Sequence, residues 1–321
     1  MRRLLPLLLA ALPIAACSGG DATDRTTIAV IPKGTSHEYW KSVHAGAAKA
    51  AAELDVDIVW KGPAKENDRE GQIAVMEDAI VRGVDAIAFA PLDDTALVPV
   101  ARDAAAQGIP VVVFDSALDW DGKAAFVATD NLAGGRLGGE RLAELLDGKG
   151  RVLLLRYLEG SASTTKREQG FLDAIAQHAG IEVVSANQYG GATTESCMQA
   201  AENLLNNYPD IDGIFCPCEP ATFGMLRALQ DSGRAGAVKF VGFDATDKLV
   251  DAVRAGEIDA LVLQDPFRMG ELAVREAMSV LKGGDLGAVV DTGVHLLDAA
   301  NVESEAMQAL LKVDFERWLG D

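Results

Sequence analysis

The stretch that decides the fold is Thr27-Ile28-Ala29-Val30-Ile31-Pro32-Lys33-Gly34-Thr35-Ser36-His37-Glu38-Tyr39-Trp40, which leads into an Ala-rich run ending at Leu54. Ile28 to Ile31 is an apolar run too short for a helix face and is bounded by Pro32 and Gly34, so it reads as a buried strand. Ser42 to Leu54 reads as a helix. The unit is strand, polar-aromatic loop, helix, and in open α/β sheets ligands collect at the carboxyl ends of strands, where such loops lie. Lys33, His37, Tyr39 and Trp40 are the candidate contact residues of this loop. Two readings stand side by side: the aromatics cover a small polar molecule, or they staple the start of the helix to the core.

Outward from this unit, candidate strands and helices alternate to the end of the chain, which predicts parallel sheets flanked by helices. The last predicted strand lies at 292–297 and the last helix at 303–319. There are too many strands for one small sheet, and the chain resembles itself. Val84-Asp85-Ala86-Ile87-Ala88-Phe89-Ala90-Pro91, a helix, and a strand ending Phe114-Asp115 are echoed by Ile211-Asp212-Gly213-Ile214-Phe215-Cys216-Pro217, a helix, and a strand ending Phe243-Asp244. Asp85 and Asp212 are 127 residues apart, and Asp115 and Asp244 are 129 apart, so the register is nearly kept. Two similar lobes follow. Each offers an aspartate at the carboxyl end of an equivalent strand, and if those edges face each other both acids enter one cleft.

The bulk numbers agree. The chain has 321 residues, which suits two ordinary domains, and its 49% hydrophobic content with 6% aromatics suggests aliphatic cores. A formal charge of −19 makes nucleic acid and anionic membrane surfaces poor partners. Residues 1–16 read as a targeting leader: Met1-Arg2-Arg3 is positive, and Leu4 to Ile14 is apolar but too short to span a bilayer. It ends Ile14-Ala15-Ala16-Cys17, which resembles a bacterial lipobox with Cys17 as the lipidated first residue. Residues 17–26 are small and polar and read as a flexible tether.

With these residues in hand, the chain resembles periplasmic sugar-binding proteins of the ribose-binding type, which share their fold with the ligand domains of LacI-type repressors. The resemblance runs from Thr27 to about Leu297. Its carriers include Val127-Ala128-Thr129-Asp130-Asn131 with Gly134-Gly135, Arg167-Glu168-Gln169-Gly170-Phe171, Asn203-Leu204-Leu205 with Pro209-Asp210, Gly224 with Leu226-Arg227-Ala228-Leu229, and Val241-Gly242-Phe243-Asp244. It implies a type I periplasmic binding protein: two Rossmann-like α/β lobes with parallel sheets and a three-crossing hinge near Thr129, Gln264 and Gly293. The first lobe would comprise about 25–129 plus 265–292, the second about 130–264 plus 293–321. The resemblance places sugar contacts on Lys33, His37, Tyr39, Trp40, Asp115, Ser116, Arg167, Cys218, Asp244 and Gln264.

Asp115, Arg167 and Asp244 can fix adjacent hydroxyls, because carboxylates accept and the guanidinium fork donates. Tyr39 and Trp40 can cover the apolar faces of a pyranose. Ser116, Cys218 and Ala192 depart from the ribose pattern, which has Arg, Asn and an aromatic there, so ribose itself is not expected. Lys33 and His37 add base to the first loop, which suits a ligand with a carboxylate or a different hydroxyl pattern unless Glu219 neutralises it; these options stay open.

Other signals are set aside. Gly134-Gly135-Arg136-Leu137-Gly138-Gly139 matches no nucleotide loop and reads as close packing of a helix on the sheet. No H-E-x-x-H or G-x-S-x-G motif is present, and the four histidines are scattered. Cys197 and Cys216 fall at the same edge of the second lobe; a disulfide from Cys197 to Cys216 or Cys218 is left open, with buried thiols as the competing reading.

The expectation is a lipid-anchored extracytoplasmic binding protein that works as a monomer, without cofactor or metal. It would deliver a sugar or polyol to an ABC permease and its ATPase and perform no covalent chemistry. Two rivals are a ligand sensor for a chemoreceptor or histidine kinase and, less favoured, a secreted glycosidase using Asp115 and Asp244 as an acid-base pair.

Overall fold

The computed structural model describes residues 25–320. The expected leader, the lipidation site Cys17 and most of the tether lie outside the described residues. Arg25, at the expected end of the tether, is already fixed by ion pairs to Asp55 at 2.6 Å and Asp57 at 2.9 Å.

The chain runs β1 (Thr27–Ile31), α1 (Glu38–Leu54), β2 (Asp57–Trp60), α2 (Arg69–Arg82), β3 (Ala86–Phe89), α3 (Val98–Ala106), β4 (Val111–Phe114) and β5 (Ala125–Ala128). It continues with α4 (Asn131–Leu145), β6 (Lys149–Arg156), α5 (Ala162–Ile175), β7 (Gly180–Tyr189), α6 (Thr194–Asn207), β8 (Gly213–Phe215), α7 (Glu219–Asp231), β9 (Lys239–Phe243), α8 (Asp247–Arg254) and β10 (Ala260–Leu263). It ends with α9 (Pro266–Leu281), β11 (Ala288–Asp291), β12 (His295–Asp298), α10 (Glu305–Leu311) and α11 (Phe315–Leu319). Two sheets form, in the orders β11-β5-β4-β3-β1-β2 and β12-β10-β9-β8-β6-β7. The two orders are the same pattern, and every pairing is parallel except β10 with β12.

Alternation along each strand explains why both sheets are buried on both faces. In the first sheet Ile28, Val30, Ala88 and Phe114 pack with Trp40, Val43 and Met269 of α1 and α9, while Ala29, Ile31, Ile87 and Phe89 pack on the other face with Met76 and Leu97. Each such fully buried aliphatic or aromatic side chain contributes about 1.5–3 kcal/mol. The internal repeat reaches into fine detail. The Asp85 carboxylate accepts from the Thr27 N–H at 2.7 Å, and its counterpart Asp212 accepts from the Arg151 N–H at 2.7 Å, so each aspartate ties down its lobe's first strand near its start.

Helices α1 and α9 in one lobe, and α4 and α5 in the other, touch backbone to backbone. A Cβ on Gly46 would lie 1.8 Å from the Phe267 carbonyl oxygen, and one on Gly135 would lie 1.9 Å from that of Arg167. The sequence predicts helix-on-sheet packing for the glycine run, and Gly138 does sit on Phe215; Gly135 and Gly139 instead admit the neighbouring helix.

The end of the chain departs from expectation. The strand expected at 292–297 is β12 at His295–Asp298, and an unexpected strand, β11 at Ala288–Asp291, precedes it in the other sheet, because Gly293, with φ of 87°, turns the chain across from one lobe to the other. The single helix at 303–319 is two. Met307, Leu310 and Leu311 of α10 pack on the second-lobe core, whereas α11 returns to the first lobe, where Trp318 meets Phe267 and Phe315 lies beneath Lys41. Residues 293–321 therefore do not all belong to the second lobe; the apolar side chains of α11 find their cover on α1 and α9.

Candidate functional site

The cleft is built from the carboxyl ends of strands in both sheets. After β4 and β9, Asp115 and Asp244 sit in the left-handed backbone region, with φ of 62° and 67°. Non-glycine residues rarely adopt it, and Asp tolerates it better than most. The twist is held in both lobes by the same bond: the Asp115 N–H donates to the Val127 carbonyl at 2.9 Å, and the Asp244 N–H to that of Val262 at 2.8 Å.

Around Asp115 the first lobe gathers its loop. Lys33 is 97% buried and its Nζ lies 2.7 Å from Asp115 Oδ2, while the Tyr39 hydroxyl donates to Asp115 Oδ1 at 2.9 Å. His37 Nδ1 pairs with Glu66 Oε1 at 2.9 Å, and the Trp40 indole N–H donates to the same oxygen at 2.7 Å. Burial alone would raise the Glu66 carboxyl, but the hydrogen bond and charge of His37, with Lys33 and the Trp40 N–H, hold it down at about 2. Burial likewise opposes charge on His37, yet Glu66 prevails and raises its pKa. Trp40 fulfils both readings of the opening loop: it is a buried core residue beside Phe114, and it also lines the cleft.

The second lobe contributes Arg167, Asp244 and the head of α7. Arg167 Nε donates to Asn131 Oδ1 at 2.7 Å, Nη1 donates to the Pro217 carbonyl at 3.0 Å, and the guanidinium stacks on Phe243 at 4.1 Å. Nη1 is 3.9 Å from Asp244. Asp244 accepts from Gln264 Nε2 at 2.7 Å and from the Glu219 N–H at 3.0 Å. Its pKa is nonetheless raised, by burial first, with Arg167 and Gln264 opposing. Burial also lifts Glu219 to about 7, with His37 opposing and Asp244 adding to the rise.

The lobes are joined across the cleft in this conformer. Lys33 Nζ donates to Ser163 Oγ at 3.0 Å, the Ser163 N–H to Ser116 Oγ at 3.0 Å, the Tyr39 N–H to Glu219 at 3.2 Å and the Tyr157 hydroxyl to Glu66 at 3.2 Å. A cavity of about 30 Å³ remains between these groups, about one water's share of liquid. A six-membered ring does not fit this space while the bonds between the lobes are made. Gln264 Oε1 is buried with no hydrogen-bond partner and is the acceptor such a guest would meet.

All of the side chains expected from the sequence line this cavity except Ser116, which is fully buried and holds the Ser163 backbone instead. Compensation of the first-loop bases is shared: Asp115 pairs with Lys33 and Glu66 with His37, while Glu219, the expected neutraliser, accepts the Tyr39 N–H and adds to the charge that raises His37. Glu66 and Tyr157 are lining residues that the sequence reading missed. Glu66 follows β2, so its place after a strand was the available signal; Tyr157 follows β6, and Glu168 fixes its turn by accepting the Tyr157 N–H at 3.1 Å.

Cys197, Cys216 and Cys218 are free buried thiols, so no disulfide closes. All three pack as small apolar groups in the second-lobe core, where burial pushes Cys197 up to about 12 and the other two well above the usual thiol range. Among the described residues no helix is long and apolar enough to cross a membrane.

A periplasmic binding protein domain model matches residues 28–285. The chain belongs to this family. A D-ribose/D-allose-binding protein of Pseudomonas aeruginosa is 31% identical over 91% of this chain and 97% of its own length. A carbohydrate-transporter solute-binding protein from Agrobacterium radiobacter, solved with D-arabinose, superposes with a TM-score of 0.87 at 32% identity, over 91% of this chain and all of that one. The periplasmic component of a sugar transport system from Hahella chejuensis gives 0.82 at 38% identity, over 84% of this chain and 99% of that one. The two-lobed architecture is thus the type I periplasmic binding protein fold.

Proposed function

We propose that this periplasmic binding protein captures a neutral sugar or sugar-like polyol between its lobes and presents the closed form to an ABC permease and its ATPase. The observation that carries the reading is the pair of left-handed aspartates at equivalent strand ends, both lining one cavity with Arg167 and Gln264. Carboxylates accept hydroxyl hydrogens, the guanidinium fork and the amide donate, and Tyr39 offers a ring face; together they suit a polyhydroxylated ring. Sugar-binding relatives support the class.

Neutrality follows from the charge pairing. Lys33 is matched by Asp115, His37 by Glu66, and Arg167 lies against Asp244, so no buried cation is left over for a ligand carboxylate. Closure follows from differential affinity, since a ligand that bonds to both lobes favours the state in which both reach it. We place the hinge at Thr129, Gln264 and Gly293, where the chain passes between the sheets; the hydroxyls of Thr129 and Thr292 touch there at 3.1 Å. Export through the leader and anchoring through Cys17 complete the reading.

The test is thermal-shift screening of the lipid-free chain against pentoses, hexoses, polyols and sugar acids. The expected result is stabilisation by a neutral member, about 2.7 kcal/mol at a hundredfold excess over Kd, with the ligand recovered intact. Stabilisation by sugar acids alone, or recovery of hydrolysed ligand, would overturn it.

A further inference from the structure

Beyond the Asp244–Gln264 pair lies a second cavity that the function above does not use. Its volume is about 170 Å³, against about 30 Å³ for the main cavity, and the two share Tyr39, Asp244 and Gln264 as walls. An engineered cavity of about 150 Å³ takes up benzene, so the side cavity is sized for one six-membered ring. Its lining combines apolar groups of Leu263, Leu311 and Phe315 with charged groups of Glu38, Asp247, Arg254 and Lys312. Apolar faces with a few convergent polar atoms are the lining that a sugar ring or an aromatic substituent requires.

Two further observations tie this cavity to the site. Gln264 lines both spaces; its Nε2 is committed to Asp244, and its buried Oε1 has no partner, so an acceptor stands at the junction. The outer wall is the chain's last segment, where Leu311 ends a helix packed on the second lobe and Phe315 begins one packed on the first. The tail therefore encloses the space from both lobes at once.

We propose that the side cavity is a second subsite, which receives the outer ring of a glycoside or disaccharide whose inner sugar lies between Asp115 and Asp244. This rests on the sugar reading above and narrows it: the substrate class becomes glycosides, and the C-terminal tail becomes part of the specificity. Free monosaccharides fill the main cavity alone.

Titration calorimetry on the lipid-free chain tests this with D-ribose, D-allose, D-arabinose, D-glucose and D-galactose, the phenyl α- and β-glycosides of each, and the disaccharides lactose and cellobiose. At least one glycoside or disaccharide should bind at least as tightly as its parent sugar. Leu311→Trp, which fills the side cavity from a half-buried position, should weaken that ligand by about tenfold or more while the parent sugar changes by less than about threefold. Phe315→Ala, which enlarges the cavity, should favour the bulkier glycosides and provides an independent reading should the Trp variant not fold. Binding of parent sugars with every glycoside excluded, or equal effects of both variants on parent and glycoside, would overturn the subsite and leave the sugar reading standing. Absence of binding by every monosaccharide and every glycoside would overturn both.

Discussion

Asp115 and Asp244 occupy the same place in their lobes, with the same left-handed backbone and the same bond from their N–H to the next strand, yet their electrostatic settings differ. Asp115 has a buried ammonium at 2.7 Å, whereas the nearest cation to Asp244 is a guanidinium at 3.9 Å that is already committed to Asn131 and the Pro217 carbonyl. One lobe presents a carboxylate that is already compensated. The other presents one that burial disfavours and that gains most from new donors. The repeated topology accounts for the shared geometry; the surrounding loops set the charge.

The largest expected effect separates the twins. Asn fits the left-handed conformation and keeps the volume, so Asp115→Asn and Asp244→Asn isolate charge. Asp115→Asn leaves Lys33 buried without its anion and should cost about 3–5 kcal/mol in urea unfolding. Asp244→Asn removes a carboxylate that burial penalises and should leave stability within about 1 kcal/mol of the parent, or raise it. Both should lose the ligand. Equal stability losses would show that the cation distances do not distinguish the two lobes.

The second expectation uses Glu219, the carboxyl beside Asp244. Burial raises its folded pKa to about 7 from the ordinary 4.5, so between these the folded state holds a proton that the unfolded state has lost. Stability is therefore lost as pH rises from about 4.5 to 7, by at most about 3 kcal/mol. Glu219→Gln should abolish that slope. His37, whose pKa is raised in the folded state, contributes stability that is lost above its folded pKa, in the same direction in both proteins. Glu66 acts oppositely: held at about 2, it contributes stability that is lost as pH falls from about 4.5 to 2. Unfolding curves across pH 3–8 for both proteins measure the difference, and parallel curves would contradict the buried, proton-holding Glu219.

The third expectation compares the helix contacts. Gly46→Ala and Gly135→Ala each drive a methyl into a carbonyl of the neighbouring helix and should cost about 1–3 kcal/mol or more. Only Gly135 faces the backbone of Arg167, so Gly135→Ala should also weaken ligand binding, while Gly46→Ala should change stability alone. Indistinguishable affinities would mean that the placement of Arg167 does not depend on this helix contact.

Much of this was legible in the sequence because repetition and alternation are local signals. Val30 and Ile31 bounded by Pro32, and the echo of Asp85 and Asp115 in Asp212 and Asp244, suffice to predict two parallel sheets with an acid at each equivalent edge. The rest depended on long-range pairing that no spacing encodes. Glu66 sits in a loop without periodicity, and its importance comes from His37, Trp40 and, across the cleft, Tyr157. The strand expected at 292–297 gives no hint of β11 just before it, since only Gly293 turns the chain between sheets, and the apolar residues of 303–319 do not say which lobe covers them. The resemblance placed Ser116 among the sugar contacts, but its hydroxyl is committed to the opposite lobe's backbone.

That commitment gives the smallest and most specific expectation. The residue after Asp115 is Ser116, and the residue after its twin Asp244 is Ala245, so Ser116→Ala converts the first lobe's edge to the second's. Ser116 Oγ accepts the Ser163 N–H across the cleft, a bond between lobes that exists only while they are together. Its loss should cost the closed state about 1 kcal/mol, which weakens ligand affinity about fivefold through the closing equilibrium. Because the bond joins the lobes and supports neither core, urea unfolding of the ligand-free chain should move by less than the affinity does. An affinity that is unchanged, or a stability that falls by more than the binding, would place Ser116 in the core of its own lobe and not in the joint between the two.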